Sequence, residues 1–279
     1  MNEVTIRVPA TTANLGPGYD CLGVALQIYN RVTVTKSGDA ETNPMVATVS
    51  ESFFTASKSG AFPFSWKIEG DVPRSRGMGS SVTVRLGLLH ALNELAGEPL
   101  SREKLFQLCA ELEGHPDNAA PAAFGGFTVA GGVEVARFPV APGLRFVMLI
   151  PDFEVSTPAA RRVLPAQLDR LDAAQSCANA CRITAAFASQ NYHLLRGAFD
   201  DQLHQPFRER ELIPFLSRVI AAGEEAGALG GFLSGSGSTI CCVTEEKTEE
   251  IGAAMLEASG NVGARIVITS ADNEGVVVL

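Results

Sequence analysis

Pro73-Arg74-Ser75-Arg76-Gly77-Met78-Gly79-Ser80-Ser81 is a glycine-rich turn between two segments of different periodicity. Before it, residues 64–69 alternate between apolar and polar side chains, as in a half-buried strand. After it, a strongly apolar run extends to about Ala96, with leucines at helical spacing on one stripe and further leucines beside it. Because this run is apolar on most sides, it predicts a central buried helix. The sequence therefore predicts a strand that turns sharply into a core helix.

The turn has the composition of an anion-binding loop. Glycines such as Gly77 and Gly79 let the backbone adopt positive φ and approach a ligand closely. The first turn of a helix leaves N–H groups unpaired, and the helix dipole favours an anion there. The hydroxyls of Ser80 and Ser81 add donors and a candidate magnesium ligand, so the stretch predicts a phosphate cradle. It lacks the Gly-Lys-Ser/Thr ending of a Walker A loop, and the structural alternative is a tight turn with serine N-caps.

Three further stretches carry groups suited to binding or catalysis. Residues 9–20, PATTANLGPGYD, follow a predicted strand and offer hydroxyls, an amide and a carboxylate that could hold a small polar molecule, although a turn-rich loop is the structural alternative. Residues 113–118, EGHPDN, stand at a helix end, where they suit magnesium ligation and acid–base or orienting work, or simply a helix C-terminus with a turn. Residues 233–239, LSGSGST, form either a ligand-hugging or a flexible turn.

The composition favours a folded, acidic protein. Of the 279 residues 46% are hydrophobic, which suffices for a sizeable core, and the formal net charge is −9. Because an acidic chain lacks the basic footprint of a duplex-binding protein, we expect no nucleic-acid partner. The first residues have neither the basic nor the long apolar segment of a signal peptide, and no run of about eighteen apolar residues occurs. We therefore expect no membrane association and a cytoplasmic location.

The six cysteines do not follow a metal-binding pattern. Cys177 and Cys181 stand at i,i+4 spacing, and Cys241 and Cys242 are adjacent on a predicted strand. A zinc site would require a second ligand pair at close spacing, which the four histidines do not supply. We interpret the cysteines as small buried hydrophobic residues in a reducing compartment rather than as a metal or redox pair.

Strands and helices are mixed without strict alternation along the chain, which indicates the α+β class. A strand at 145–150 opens the second half, helical patterns fill most of 158–226, and two strands at 265–269 and 275–279 end the chain. For residues 36–60 the weak pattern predicts a turn, a short strand and a short helix. We divide the chain into two domains, 1–148 and 149–279.

Three of these stretches, in this order, resemble the motifs of the GHMP kinase superfamily, which includes galactokinase, homoserine kinase and mevalonate kinase. The matching stretches are Pro9–Asp20, Pro73–Ser81 and Leu233–Thr239. Four strings further resemble homoserine kinases: PATTANLGPGYDCLGVAL, EGHPDNAAPAAFGGF, STPAAR and LHQPFRERELIP. The resemblance implies a two-layer architecture with an N-terminal domain like ribosomal protein S5 domain 2 and a ferredoxin-like C-terminal domain. It also implies an active site in the cleft between the two domains.

The same resemblance implies ATP- and Mg²⁺-dependent phosphorylation of the side-chain hydroxyl of L-homoserine, a step of threonine biosynthesis. The loop that would wrap the triphosphate comprises Arg76, Gly77, Met78, Gly79, Ser80 and Ser81. Magnesium would be held by Ser81 and Glu113, with Glu111 as the fallback for the carboxylate. Dimers are common in the superfamily, so the resemblance also makes a homodimer an expectation.

The acceptor end of the site is likewise implied by the resemblance. Substrate would be bound by Asn14, Asp20, Thr157, Arg161 and Arg208, and the reacting hydroxyl would lie beside His115 and Asn118. The candidate catalytic residues are His115, Asn118 and Asp117. Arginine forks suit the bidentate binding of an α-carboxylate, and an aspartate suits an α-ammonium group. The structural alternative for Arg161 and Arg208 is an ordinary surface position.

Three features depart from the pattern of the superfamily. Ser238 stands where a proline is usual. The helix after Ser81 begins VTVRLG instead of an alanine-rich run, and Arg85 in this stretch is a candidate for altering the site. The segment 36–60 matches poorly where an adenine pocket is expected, so no adenine residues are assigned. Two other functions therefore stay open: a kinase of the superfamily with another hydroxy-acid or alcohol acceptor, and a catalytically silent ligand-binding protein.

Overall fold

The computed structural model describes residues 2–36, 43–132, 134–260 and 262–279. Within these ranges the strands are β1 (Glu3–Ala13), β2 (Leu22–Lys36), β3 (Phe64–Gly70), β4 (Phe127–Gly131), β5 (Glu134–Phe138), β6 (Arg145–Pro151), β7 (Gly230–Leu233), β8 (Ile240–Thr244), β9 (Ala264–Ser270) and β10 (Val277–Val278). The α-helices are α1 (Pro44–Ser57), α2 (Ser80–Leu95), α3 (Arg102–Glu113), α4 (Ala119–Phe124), α5 (Thr157–Arg162), α6 (Arg170–Ser189), α7 (Gln205–Glu211), α8 (Leu216–Glu225) and α9 (Thr248–Ser259). A 3-10 helix at Tyr192–Leu195 follows α6.

The described strands form two antiparallel sheets. The first sheet has the order β10-β1-β2-β4-β5, and β3 also pairs with the long strand β2. The second sheet has the order β7-β8-β6-β9, and its elements follow each other as strand, helices, hairpin, helix and strand, which is the ferredoxin-like βαββαβ arrangement. The expected α+β class is therefore confirmed.

The alternation of side chains along β6 shows how the two sheets pack. Phe146, Met148 and Ile150 belong to a core that also contains residues of β2, so this face of the second sheet lies towards the first sheet. Val147 and Leu149 point the other way, into a core with α8 and α9. A third core lies between the first sheet and α1–α4. The chain enters the second sheet at β6 and returns to the first sheet at β10. The division into two domains at residue 148 stays a proposal.

Helix α2 is the central buried helix that the leucine pattern predicts, because its buried residues occur on all sides. Gly87 allows close packing against the sheet, since a Cβ at this position would lie 2.6 Å from Cγ2 of Val32 on β2. The helix begins at Ser80, directly after the glycine-rich turn. The packing of α2 thereby fixes the position of that turn.

The structure differs from the sequence expectations in three places. Neither β4 nor β5 is predicted, because five residues each are too few for alternation to stand out. In the segment 36–60 a short strand and a short helix are expected, but α1 is 14 residues long and the described residues 43–60 contain no strand. Residues 37–42 lie outside the described ranges. Cys177 and Cys181 are exposed on α6 rather than buried. Among the described residues, no helix has the length and apolar character needed to span a membrane.

Candidate active site

One cavity of about 520 Å³ contains every site residue that the sequence predicts. It is lined, among others, by Asn14, Asp20, Arg76, Gly77, Met78, Gly79, Ser80, Ser81, Glu113, His115, Asp117, Asn118, Thr157, Arg161 and Arg208. These residues come from both halves of the chain and from loops at the ends of several strands and helices. The cavity therefore joins the predicted phosphate loop to the predicted acceptor groups in one continuous space.

Hydrogen bonds hold the glycine-rich stretches together at the base of this cavity. The Ser234 hydroxyl lies 2.8 Å from that of Thr12 and donates to the carbonyl oxygen of Gly77 over 2.7 Å. The N–H of Gly235 donates to the carbonyl oxygen of Ala13 over 3.0 Å. All three glycine-rich stretches thus contact each other directly, although more than 200 residues separate the first from the last.

The phosphate loop has the backbone geometry that its glycines suggest. Gly77 and Gly79 have φ of 71° and 67°. A Cβ on Gly77 would lie 2.0 Å from the carbonyl oxygen of Ser234, and one on Gly79 would lie 2.1 Å from Oγ1 of Thr11. Gly79 is the N-cap of α2 and no side chain caps it, so neither serine is an N-cap. Instead, Ser80 opens the helix, and the start of α2 faces the cavity as a site for an anion.

Arg76 has its guanidinium engaged with the second half of the chain. It donates from Nε to the carbonyl oxygen of Pro151 over 2.8 Å and from Nη2 to that of Asp152. Nη1 lies 3.4 Å from a carboxylate oxygen of Glu154. These contacts anchor the phosphate loop to the end of β6, and the phosphate-binding role of Arg76 stays a prediction.

Ser81 and Glu113 provide oxygen ligands of the kind that magnesium prefers. The Ser81 hydroxyl donates to Oε2 of Glu113 over 3.0 Å. Oε1 of Glu113 is buried and accepts no hydrogen bond within the described part of the chain. Oε1 lies 2.6 Å from Nη1 of Arg85 in an ion pair. A carboxylate and a hydroxyl side by side at a cavity wall are the donor set that suits a bound divalent cation. Glu113, rather than the fallback Glu111, is the carboxylate that lines the cavity.

Opposite charges meet at the acceptor end of the cavity. Nη2 of Arg161 donates to both carboxylate oxygens of Asp20, over 2.8 and 3.0 Å, and Nη1 donates to the Tyr19 hydroxyl over 2.9 Å. Asn14 fixes the backbone here, since its side chain accepts from the N–H of Asp20 over 3.0 Å and donates to Gly235. Asp20 and Arg161 therefore form an ion pair in the wall of the cavity. Thr157 opens α5, the helix that also carries Arg161.

Arg208 is a buried cation beside this pair. Its exposure is 2%, and it makes no salt bridge with any residue of the described ranges. It donates to the carbonyl oxygens of Ala160 and Gly235 and to Nδ1 of His204, over 3.2, 2.8 and 3.1 Å. Nε2 of His204 lies 2.8 Å from the carbonyl oxygen of Gly16, which places its proton on Nε2 and leaves Nδ1 as the acceptor. Burial lowers the pKa of Arg208 and lowers that of His204 to about 4.

His115, Asp117 and Asn118 form a second polar group in the cavity. Nδ1 of His115 lies 2.6 Å from Oδ1 of Asp117, and this hydrogen bond raises the pKa of His115. The same oxygen accepts the N–H of Asn118 over 2.9 Å. The Thr11 hydroxyl donates to Oδ1 of Asn118 over 2.6 Å. The Asn118 side-chain nitrogen donates to Oδ1 of Asp117 over 3.4 Å, so the amide is held on both sides.

Several residues of the site have only a weak signal in the sequence. Ser234 and Thr11 bind other loops, and their importance depends on contacts with residues far away in the chain. Beyond the phosphate loop the cavity is also lined by Met45 on α1 and by Trp66 and Ile68 on β3, which form an apolar region. Alternation along β3 could have identified Trp66 and Ile68 as sharing one face, but not which cavity they line.

Comparisons with known proteins show similarity in sequence and fold over nearly the whole chain. Residues 45–126 match the family described as GHMP kinases N terminal domain, and residues 183–261 match GHMP kinases C terminal. The chain is 39% identical to a homoserine kinase of Microchaete diplosiphon, covering 99% of this chain and 97% of that protein. It is 37% identical to one of Aquifex aeolicus, covering 99% of each. The crystal structure of homoserine kinase from Cytophaga hutchinsonii superposes with a TM-score of 0.88 at 26% identity, covering 100% of this chain and 98% of that one. By its sequence and its fold, this chain belongs to the homoserine kinase family of the GHMP kinases.

Proposed function

We propose that the chain transfers the γ-phosphoryl group of ATP to the side-chain hydroxyl of L-homoserine, giving O-phospho-L-homoserine and ADP for threonine biosynthesis. The observation that carries this proposal is the buried Arg208, a cation without a carboxylate partner in the described chain, in the same cavity as an uncapped helix start. A buried unpaired charge is costly, so a bound anion such as an α-carboxylate would stabilise it. The helix start suits a triphosphate.

The two ends of the cavity would bind the two substrates separately. The loop from Arg76 to Ser81 would hold the phosphates through its backbone N–H groups and the serine hydroxyls. At the other end, Asp20 would accept the α-ammonium group, while Arg161 and Arg208 would bind the α-carboxylate. An amino acid carries both charges on one carbon, which the Asp20–Arg161 pair complements. Asn14 and Thr157 would complete this end of the site.

The divalent cation would be held by Ser81 and Glu113 and would neutralise charge on the phosphates when bound. His115 and Asn118 would orient the acceptor hydroxyl, whose oxygen forms the new bond to phosphorus as the bond to the ADP oxygen breaks. Asp117 would hold the His115 ring. A loose transition state demands little of a base, so we assign none, and the proton leaves late, to phosphate. A large loss of turnover in both His115→Ala and Asn118→Ala, without loss of homoserine binding, would count against the absence of a strong base.

The function is tested by ADP release with Mg²⁺ and ATP in the presence of single acceptors. The panel comprises homoserine, threonine, serine, mevalonate and galactose, with a reaction lacking acceptor as the control. We expect turnover with homoserine well above every other reaction. Turnover with a different acceptor would retain the kinase and replace the substrate. Bound ATP without turnover in any reaction would point to a silent ligand-binding protein. The proposed homodimer is checked separately, by light scattering.

A further inference from the structure

Arg85 lies one helical turn after Ser81 on α2, so the two side chains share a face of the helix. Its Nη1 lies 2.6 Å from Oε1 of Glu113 and also donates to the carbonyl oxygen of Leu112 over 2.7 Å. Both partners are poorly exposed, at 21% for the Arg85 side chain and 9% for that of Glu113. The end of α3 is therefore clamped to α2 by an ion pair that includes the proposed cation ligand.

In this ion pair one carboxylate oxygen of Glu113 accepts a hydrogen bond and the other accepts none within the described residues. Oε2 of Glu113 accepts the hydroxyl of Ser81, whereas Oε1 is close to Arg85 but outside the angles of a hydrogen bond. Nη1 of Arg85 is directed instead to the Leu112 carbonyl, one of the unpaired acceptors at the end of α3. Ser81 and Glu113 line the cavity, while Arg85 is not part of the lining. The guanidinium thus lies against Oε1, outside the cavity lining, whereas Oε2 lies beside Ser81, which belongs to that lining.

We propose that Arg85 is a positioning residue that sets the affinity of Glu113 for a divalent cation. It keeps the carboxylate beside Ser81 and, because it carries a positive charge, it weakens the attraction of Glu113 for a free metal ion. Phosphate oxygens of a nucleotide supply the missing negative charge, so the cation binds well only together with the nucleotide. This inference rests on the part of the proposed function that assigns Glu113 to the cation.

A purely structural clamp makes a different prediction for the same residue. If Arg85 only joined α2 to α3, its loss would loosen Glu113 and weaken cation binding. If its charge competes with the cation, its loss strengthens cation binding, because the Coulomb repulsion disappears. Glutamine retains a donor for the Leu112 carbonyl without the charge, and lysine retains the charge without the planar fork.

The test is a titration of the nucleotide-free protein with Mn²⁺, in which the free ion is followed by its electron paramagnetic resonance signal. We expect Arg85→Gln to bind Mn²⁺ about tenfold more tightly than the unaltered chain, as removal of a nearby like charge would produce. Arg85→Lys should bind like the unaltered chain. Glu113→Gln should abolish the site, which identifies the ligand, and urea unfolding of each variant checks that it is folded.

Equal or weaker Mn²⁺ binding in folded Arg85→Gln overturns the inference, as does a tightening of the same size in Arg85→Lys. The Mn²⁺ titration does not depend on the result of the ADP-release assay with the acceptor panel. Homoserine turnover together with unchanged Mn²⁺ affinity in Arg85→Gln rejects the role of Arg85 and keeps the proposed function. Tighter Mn²⁺ binding in a chain that does not phosphorylate homoserine rejects the function and keeps the role of Arg85.

Discussion

Arg208 carries a positive charge and is almost completely buried. Its hydrogen bonds go to backbone carbonyls and to a histidine lone pair, which satisfy donors but do not neutralise the charge. Arg161, in contrast, is already paired with Asp20. The sequence motifs do not distinguish the two arginines, but the structure does. Within the described residues Arg161 has an ion-pair partner and Arg208 has none, so a bound anion would stabilise Arg208 more.

Replacing Arg208 by methionine should raise the KM for homoserine by roughly 100-fold, because truncation of a buried charge partner costs about 2–5 kcal/mol of binding. The KM for ATP should change little, since Arg208 lies at the acceptor end of the cavity. Steady-state kinetics with each substrate varied in turn measure both. The exposed Arg162, which neighbours Arg161 on α5, provides the control, and Arg162→Met should leave both constants unchanged. An Arg208→Met enzyme with a normal KM for homoserine would refute the assignment.

At the scale of elements, the start of α2 depends on how closely three loops approach one another. Glycine at position 77 is required for two separate reasons, a left-handed backbone and the carbonyl oxygen of Ser234 at 2.0 Å from any added Cβ. Gly197, with φ of 65° and open space around it, has only the first requirement. Substitutions at these two positions therefore distinguish the cost of backbone strain from the cost of displacing a neighbouring loop.

Gly197→Ala should destabilise the chain by about 1 kcal/mol through its left-handed conformation alone. Gly77→Ala carries the same strain and must also push the 233–239 loop away, so we expect a larger loss of unfolding free energy and weaker ATP binding. Urea unfolding and nucleotide titration by calorimetry measure these two effects. Equal unfolding free energies and equal ATP affinities in the two variants would mean that the loops do not need this close contact.

At the scale of the whole molecule, two buried histidines make stability dependent on pH. Burial lowers the pKa of His90 to about 3 and that of His204 to about 4. Both are neutral in the folded chain near pH 5, whereas the unfolded chain binds a proton on each below about pH 6.5. Because the unfolded state binds more protons in this range, folding stability falls as the pH is lowered. The raised pKa of His115 acts in the opposite direction, since its stabilisation is lost as the pH rises.

Between pH 6.5 and pH 5 each buried histidine should remove about 2 kcal/mol of unfolding free energy. Urea unfolding at pH 7, 6 and 5 measures the slope. His90→Leu should reduce this slope, because it removes one of the two titrating groups. A packing defect caused by the leucine would lower the stability equally at every pH and would not change the slope. His193, which is exposed on the 3-10 helix, provides the control, and His193→Leu should keep the slope. A flat profile for the unaltered chain would contradict the buried, neutral state of His90 and His204.

The sequence by itself determined the features that depend on local order. The strand, glycine-rich turn and buried helix around residues 64–95 follow from periodicity and from positions where only glycine fits, and the structure has them. The resemblance of short strings selected fifteen candidate residues, all of which line one cavity. Such patterns are readable because backbone conformation and amphipathic periodicity act over a few neighbouring residues.

Only the tertiary structure decided which charges form ion pairs and which are buried without one among the described residues. Asp20 pairs with Arg161, 141 positions further along the chain, and Arg85 contacts Glu113, 28 positions further along. The burial of Arg208 depends on residues from several elements that pack around it. Burial and Coulomb interaction depend on distance in space, which a linear pattern does not record. For the same reason, the apolar region of Met45, Trp66 and Ile68 became visible only when α1 and β3 were placed around the cavity.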